Sequence, residues 1–267
     1  MQISTLEDEH ELFRCLAIDG IVKTRSSKLF DLDNLKKLCG HIEDGSNTDF
    51  LKVKHPNLVE ADQFSCKDTE ANFSLLEHTF DLSFVERLGD EFFGQEQLGC
   101  HVHVTNFVGN NGTVLPWHFD RLQTIKLWIY LEPVDDDRSG ALKVMLGTHF
   151  ETRALVQASV NGGVSLEHVS NDLNESRAAK LDGVSVFGGI EDLYIFDPGI
   201  YHTGSVLEAG RRRKVFRLDI FPLRRRDFDH PLDLVALMMR RFRRLMNVQT
   251  VLIGDQHSFS NRPRTPK

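Results

Sequence analysis

At 267 residues and 30.5 kDa, the chain can bury the core of one substantial domain or of two small ones. Hydrophobic residues make up 40% and charged residues 27%, ordinary globular usage that excludes a mostly disordered chain. No run approaches the roughly 18 apolar residues of a membrane helix. The net charge of −7 hides an asymmetry, because residues 211–267 carry 15 Lys/Arg against 5 Asp/Glu while the remainder carries 17 against 34. A basic end of this kind suits nucleic acid, an acidic partner or anionic lipid. The plainer reading is that it offsets the acidic body or forms a solvated helix face, so neither a nucleic-acid nor a membrane partner is expected. Met1 to His10 is acidic where a secretory leader would be basic and then apolar, and Arg264-Thr-Pro-Lys267 is no peroxisomal or retention address. Cys15, Cys39, Cys66 and Cys100 lie far apart with no C-x-x-C pair. They read as free thiols of a reducing compartment, which points to a cytoplasmic location.

Residues 1–97 mix helical and irregular signals. Leu32, Leu35, Leu38 and Cys39 recur at helical spacing behind acidic Asp31, with Gly40 as the expected stop. Phe84, Val85 and Leu88 form a second stripe within 80–88, with Gly89 as its stop. From residue 98 the period becomes two. His101 to Val108 alternates and ends at the turn Gly109-Asn-Asn-Gly112. Thr124 to Leu131 alternates again, with Ile125, Leu127, Ile129 and Leu131 on one face. Asp135-Asp-Asp-Arg-Ser-Gly140 is a turn, and Ala141 to Leu146, Leu193 to Phe196 and Val215 to Phe221 are further strands. This series predicts a mainly β fold with flanking helices, an antiparallel sandwich or jelly-roll barrel. Residues 151–190, with Asn161-Gly-Gly163, read as a long insertion over the barrel mouth. After Pro231 the period returns to 3.6, with Leu234, Met238, Phe242 and Leu245 on one stripe and arginines flanking it. The expected organisation is one domain: support in 1–97, a β core in 98–222 and a basic helix and tail in 223–267.

The sharpest local signal is Pro116-Trp-His-Phe-Asp120. In extended backbone, residues i and i+2 point to the same side, so His118 and Asp120 can share one metal. A third ligand must come from another strand end, and His202 qualifies, following the strand at 193–196 and the Asp197-Pro-Gly199 turn. Two imidazoles and one carboxylate on one face of an octahedron suit Fe(II) and leave three adjacent positions open. H-x-D alone arises often by chance; the order of strands around it raises the signal. Arg211-Arg-Arg-Lys-Val-Phe-Arg217 follows nine residues on, and an arginine fork suits the far carboxylate of a dicarboxylate cosubstrate.

At these residues the sequence resembles the phytanoyl-CoA dioxygenase-like family of Fe(II)/2-oxoglutarate oxygenases, which includes ectoine hydroxylase. The resemblance spans roughly residues 98–222, near half the chain. It rests on Trp117-His-Phe-Asp120, Lys126-Leu-Trp-Ile-Tyr-Leu131, Ser139 to His149, Asp192 to His202 and Arg213-Lys-Val-Phe216. It implies a double-stranded β-helix with iron at its mouth, held by His118, Asp120 and His202. It implies 2-oxoglutarate and O2 as cosubstrates, succinate and CO2 as products, and a small-molecule substrate that is hydroxylated, in keeping with a biosynthetic pathway. The arginine for the C5 carboxylate, eleven past the distal histidine, is then Arg213, with Arg211, Arg212 and Arg217 near enough to compete. Related halogenases have Gly or Ala where Asp120 stands, so the retained carboxylate favours hydroxylation; desaturation and ring closure need the same ligands. The family often has a hydroxyl residue two past the distal histidine, whereas this chain has Gly204 between Thr203 and Ser205.

Other residues admit two readings. His101-Val-His103 invites a cupin metal pair, but Thr105, Asn106 and Phe107 stand where a cupin glutamate would; cavity lining or simple packing fits better. Asn106 is a candidate cosubstrate contact or a plain strand-end hydrogen bond. Lys126, Trp128 and Tyr130 share a strand face: inward, Lys126 meets a carboxylate and Trp128 walls a pocket; outward, all three are surface residues. His149 reads as structural, and Arg224-Arg-Arg226 as solvated or as help for an anionic substrate. The rival to an oxygenase is a barrel that binds an anionic partner through its basic end without turnover.

Overall fold

The computed structural model of the chain describes residues 3, 5–45, 50–54, 60–66, 69–94, 97–120, 123–162 and 183–223. Five α-helices and eleven strands run through them. In chain order they are α1 (Glu9–Asp19), β1 (Ile21–Arg25), α2 (Leu32–Glu43), β2 (Leu51–Lys54), β3 (Glu60–Cys66), α3 (Thr69–Leu76), α4 (Leu82–Phe92), β4 (Leu98–Val108) and β5 (Gly112–His118). There follow β6 (Ile125–Tyr130), β7 (Leu142–Val144), α5 (His149–Gly162), β8 (Val184–Val186), β9 (Asp192–Phe196), β10 (His202–Leu207) and β11 (Arg212–Pro222). A seven-stranded sheet has the order β1-β9-β6-β11-β4-β3-β2, and a four-stranded sheet the order β5-β10-β7-β8. Every pairing between these strands is antiparallel.

The large sheet is buried on both faces, so its strands carry two apolar patterns at once. Ile125, Leu127 and Ile129 of β6, with Phe216, Leu218 and Ile220 of β11, pack with Leu16, Leu35, Phe84 and Leu88 of the helices. Each such fully buried aliphatic side chain stabilises the fold by about 1.5–3 kcal/mol. The alternate residues Trp128, Tyr130 and Val215 point between the sheets, where they meet Leu142, Val144 and Val186 of the small one. The inward reading of Lys126, Trp128 and Tyr130 therefore holds.

Both early helices lie where the periodicity puts them, and aspartates cap them: Asp31 accepts from the N–H groups of Asp33 and Asn34, and Asp81 from that of Ser83. The expected glycine stops are corrected. Gly40 lies inside α2 and Gly89 inside α4. A Cβ on Gly89 would stand 2.4 Å from Leu98 Cδ1, so that glycine permits close packing of helix on strand. The first 97 residues also supply three strands to the large sheet: β1 at one edge, and β3 and β2 beyond β4. The supposed loop over 151–190 is in part the helix α5 and the strand β8. The helix expected after Pro231, Arg224-Arg-Arg226 and everything else beyond Leu223 lie outside the described residues. None of the four cysteines is in a disulfide. No described helix is long and apolar enough to cross a membrane.

Candidate metal and cosubstrate site

His118 ends β5 and His202 begins β10, and the two are cross-strand partners. Their rings lie 4.1 Å apart, centroid to centroid. Nδ1 of His118 is 2.7 Å from the carbonyl of Pro116, and Nδ1 of His202 is 2.9 Å from that of Ile200. A carbonyl can only accept, so both Nδ1 atoms carry a proton and Nε2 is the ring nitrogen each histidine has left for a metal. Asp120 Oδ1 stands 4.0 Å from His118 Nε2. One ligand atom from each of His118, Asp120 and His202 lies within 4.8 Å of the other two, the only such cluster among the described residues. The rings of His101 and His103, 6.2 Å apart, belong to no such cluster, which removes the cupin reading.

Asp120 shares its charge with a cation. Lys126 Nζ lies 2.5 Å from Oδ2, so the opposite oxygen is left for a metal. Burial pushes the Asp120 carboxyl up, but Lys126 first, then the two imidazoles, outweigh it and hold the acid well below the usual carboxylate range. Burial pushes His202 down to about 3, so its ring is neutral and ligand-competent at neutral pH.

The turn that delivers His202 is clamped by α5. Arg153 donates to Asp197 Oδ1 at 2.8 Å, a pair almost fully buried, and the same oxygen accepts the Gly199 N–H at 2.8 Å. The Thr152 hydroxyl donates to the Gly199 carbonyl, Thr148 Oγ1 accepts the Tyr201 N–H, and the Asp120 N–H bonds the Pro198 carbonyl. No sequence signal marked these residues, because Arg153 in isolation reads as a solvent-facing helix arginine. His149 at the start of α5 is buried against the Ala17 carbonyl, a packing role.

A cavity of about 320 Å³ opens beside the cluster, between the sheets. Arg213 forms part of its wall and is 1% exposed. Its guanidinium lies 4.4 Å from the Phe107 ring and donates to the Gly140 carbonyl, yet it has no carboxylate partner among the described residues. Burial pushes its pKa down to about 10. A sequestered cation of this kind calls for an anionic ligand.

Two expected contacts lie elsewhere. Arg211 is on the barrel exterior, bound to Asp136 at 2.9 Å and Glu208 at 3.2 Å. Asn106 is absent from the cavity wall: on β4 it alternates with Thr105 and Phe107, which do line it. The sequence reading missed Gln63, Thr105 and Asp219 as wall residues. Asp219 Oδ1 lies 2.9 Å from Arg217 Nε and Oδ2 lies 3.4 Å from His103 Nε2, and His103 Nδ1 is 3.3 Å from Gln63 Nε2.

No protein-family model and no curated protein matches the chain. Solved structures do. The fold is similar to AviO1 from Streptomyces viridochromogenes Tue57, at 13% identity over 83% of this chain and 98% of that one, TM-score 0.55. It is similar to SnoK, a non-haem α-ketoglutarate-dependent carbocyclase from nogalamycin biosynthesis, at 14% identity over 83% and 88%, TM-score 0.55. HygX from Streptomyces hygroscopicus, with nickel, 2-oxoglutarate and hygromycin B bound, matches at 12% identity over 80% and 87%, TM-score 0.51. EvdMO1 matches at 16% identity and TM-score 0.51 over 80% of this chain, which spans 50% of that protein. At these identities the likeness concerns the fold, which is a double-stranded β-helix.

Proposed function

We propose that this chain is an Fe(II)- and 2-oxoglutarate-dependent oxygenase that hydroxylates a small molecule. The observation that carries the reading is the conjunction, in one cavity, of a His-Asp-His cluster and a buried guanidinium without a carboxylate partner. The likeness of the fold to enzymes described as bound to 2-oxoglutarate or dependent on it supports the reading. The donor set fits ferrous iron, with two Nε2 ring nitrogens and one carboxylate oxygen. Bound iron would supply the redox chemistry by which O2, 2-oxoglutarate and a substrate C–H bond become succinate, CO2 and an alcohol. His118, Asp120 and His202 would hold the metal, and Lys126 would keep Asp120 to a single donor oxygen. Arg213 would receive the far carboxylate of the cosubstrate, with Phe107 and Trp128 excluding water around it. The rival, partner binding through the basic end, rests on residues beyond 223.

Anaerobic Fe(II) and 2-oxoglutarate should give the weak visible metal-to-ligand charge-transfer band of a chelated complex. His118→Ala should abolish the band and 2-oxoglutarate-dependent succinate formation. Succinate formation that survived in His118→Ala would overturn the assignment, and salt-sensitive nucleic-acid binding without iron would favour the rival.

A further inference from the structure

Five charged side chains line the cavity among the described residues: Asp120, Lys126, Arg213, Arg217 and Asp219. Among the described residues the wall therefore carries a net charge of +1. A divalent metal and the 2-oxoglutarate dianion, the occupants in the reading above, cancel each other and leave that +1 in place. Unmatched charge in a largely buried cavity is costly, so a further negative group would close the balance.

The surplus can be located. With 2-oxoglutarate on Arg213 and a metal on Asp120, the remaining wall charges are Lys126, Arg217 and Asp219. Asp219 stands directly across from Lys126 in the β6–β11 register and is paired with Arg217. Lys126 keeps its contact with Asp120, whose charge the metal would also draw on, and Arg217 has Asp219 as its one carboxylate neighbour among the described residues. His103 Nε2 stands 3.4 Å from the other oxygen of Asp219. Arg217 lines the cavity, its Nε lies 2.9 Å from Asp219 Oδ1 without a hydrogen bond, and no carboxylate is within ion-pair distance of its Nη nitrogens among the described residues.

Resting on the oxygenase reading, we propose that the primary substrate carries a single negative group, a carboxylate, received by the Nη edge of Arg217 beside Lys126. A planar carboxylate matches the guanidinium fork and restores neutrality, whereas an amine would raise the cavity charge to +2 and be rejected.

The test uses acetate as the probe on protein loaded with Mn(II) and 2-oxoglutarate, with acetamide and methylammonium as the neutral and cationic comparators. Paramagnetic broadening of the probe methyl protons reports binding near the metal. Acetate should show saturable broadening, and the comparators none. Arg217→Met should weaken acetate binding by at least about tenfold, the loss of a charge-assisted hydrogen-bonded pair, while Arg217→Lys, which keeps the charge but not the planar fork, should weaken it measurably and by less than Met does. Equal broadening by acetate and acetamide, or acetate affinity unchanged in Arg217→Met, overturns the proposal. If Arg217→Met does not fold, the acetate–acetamide contrast and Arg217→Lys decide alone. Mn(II) electron resonance on the same samples separates the two levels. Failure of Mn(II) or 2-oxoglutarate to bind overturns the oxygenase reading, whereas intact loading with failed discrimination overturns only the carboxylate assignment.

Discussion

Replacing Arg213 by Met should make the cosubstrate-free protein more stable and blind to 2-oxoglutarate. The guanidinium is 1% exposed and burial pushes its pKa down to about 10 from an ordinary value above 12. Holding that cation folded at neutral pH costs about 3 kcal/mol. Its hydrogen bond to the Gly140 carbonyl returns about 1 kcal/mol, so the net gain on removing it is about 2 kcal/mol. For a chain of this size that is a rise in melting temperature of about 4–8 °C. Wild-type protein with metal should gain about 2.7 kcal/mol from 2-oxoglutarate at a hundred times its dissociation constant, and Arg213→Met should gain nothing at that concentration. Thermal unfolding of both proteins, with metal and with or without 2-oxoglutarate, reads both effects. A variant that melts below wild type, or that keeps the full 2-oxoglutarate shift, refutes the argument.

Three further outcomes follow from the wall and its supports. Lys126→Met releases the second oxygen of Asp120 and removes a cation from beside the metal site, so Mn(II) alone should bind at least about tenfold more tightly; weaker binding by the folded variant contradicts the clamp. Burial pushes His103 down to about 4, so between 6.5 and 4 the unfolded chain takes up a proton that the folded one refuses. Stability should fall by up to about 3 kcal/mol as pH drops through that window, and His103→Gln should flatten that stretch of the pH profile measured by urea unfolding. Arg153→Met strands Asp197 as a buried carboxylate and should cost about 3–5 kcal/mol in denaturant unfolding, with weaker Mn(II) binding as the His202 turn loosens. A loss below about 1 kcal/mol would show that the pair does not hold the turn.

The cluster of His118, Asp120 and His202 was legible because its geometry is local. His118 and Asp120 are two residues apart in extended chain, and His202 follows a turn marked by Asp197, Pro198 and Gly199. The spacing from His202 pointed to an arginine within 211–213, and the family resemblance singled out Arg213, which the structure places in the cavity wall. What escaped lies across strands. Asp219 meets His103 of β4 and faces Lys126 of β6, and His103 meets Gln63 of β3; no window of sequence brings those residues together. Strands β1 and β3 escaped because Ile21–Arg25 is short and Glu60–Cys66 is largely polar, so neither shows an alternating apolar face. Asn106 was misplaced by a single position: one residue along a strand turns a side chain to the opposite face of the sheet.

Gly204, where the resembling family often has a hydroxyl, has a physical explanation in the packing around Arg213. A Cβ there would stand 2.8 Å from Val114 Cβ and 3.2 Å from Arg213 Nη1, and Val114 Cβ is anchored to its backbone and cannot swing aside. The volume a serine would need is already occupied by Val114 and the guanidinium. The neighbouring hydroxyls do not compensate: Thr203 Oγ1 gives its proton to the Leu115 carbonyl at 2.5 Å, and Ser205 lines a separate surface depression with Arg138 and Lys143. The far end of a dicarboxylate would therefore depend on Arg213 without a hydroxyl donor from position 204. On that reading the buried guanidinium is left without a carboxylate of its own so that the cosubstrate can supply one, and its removal should trade cosubstrate binding for stability.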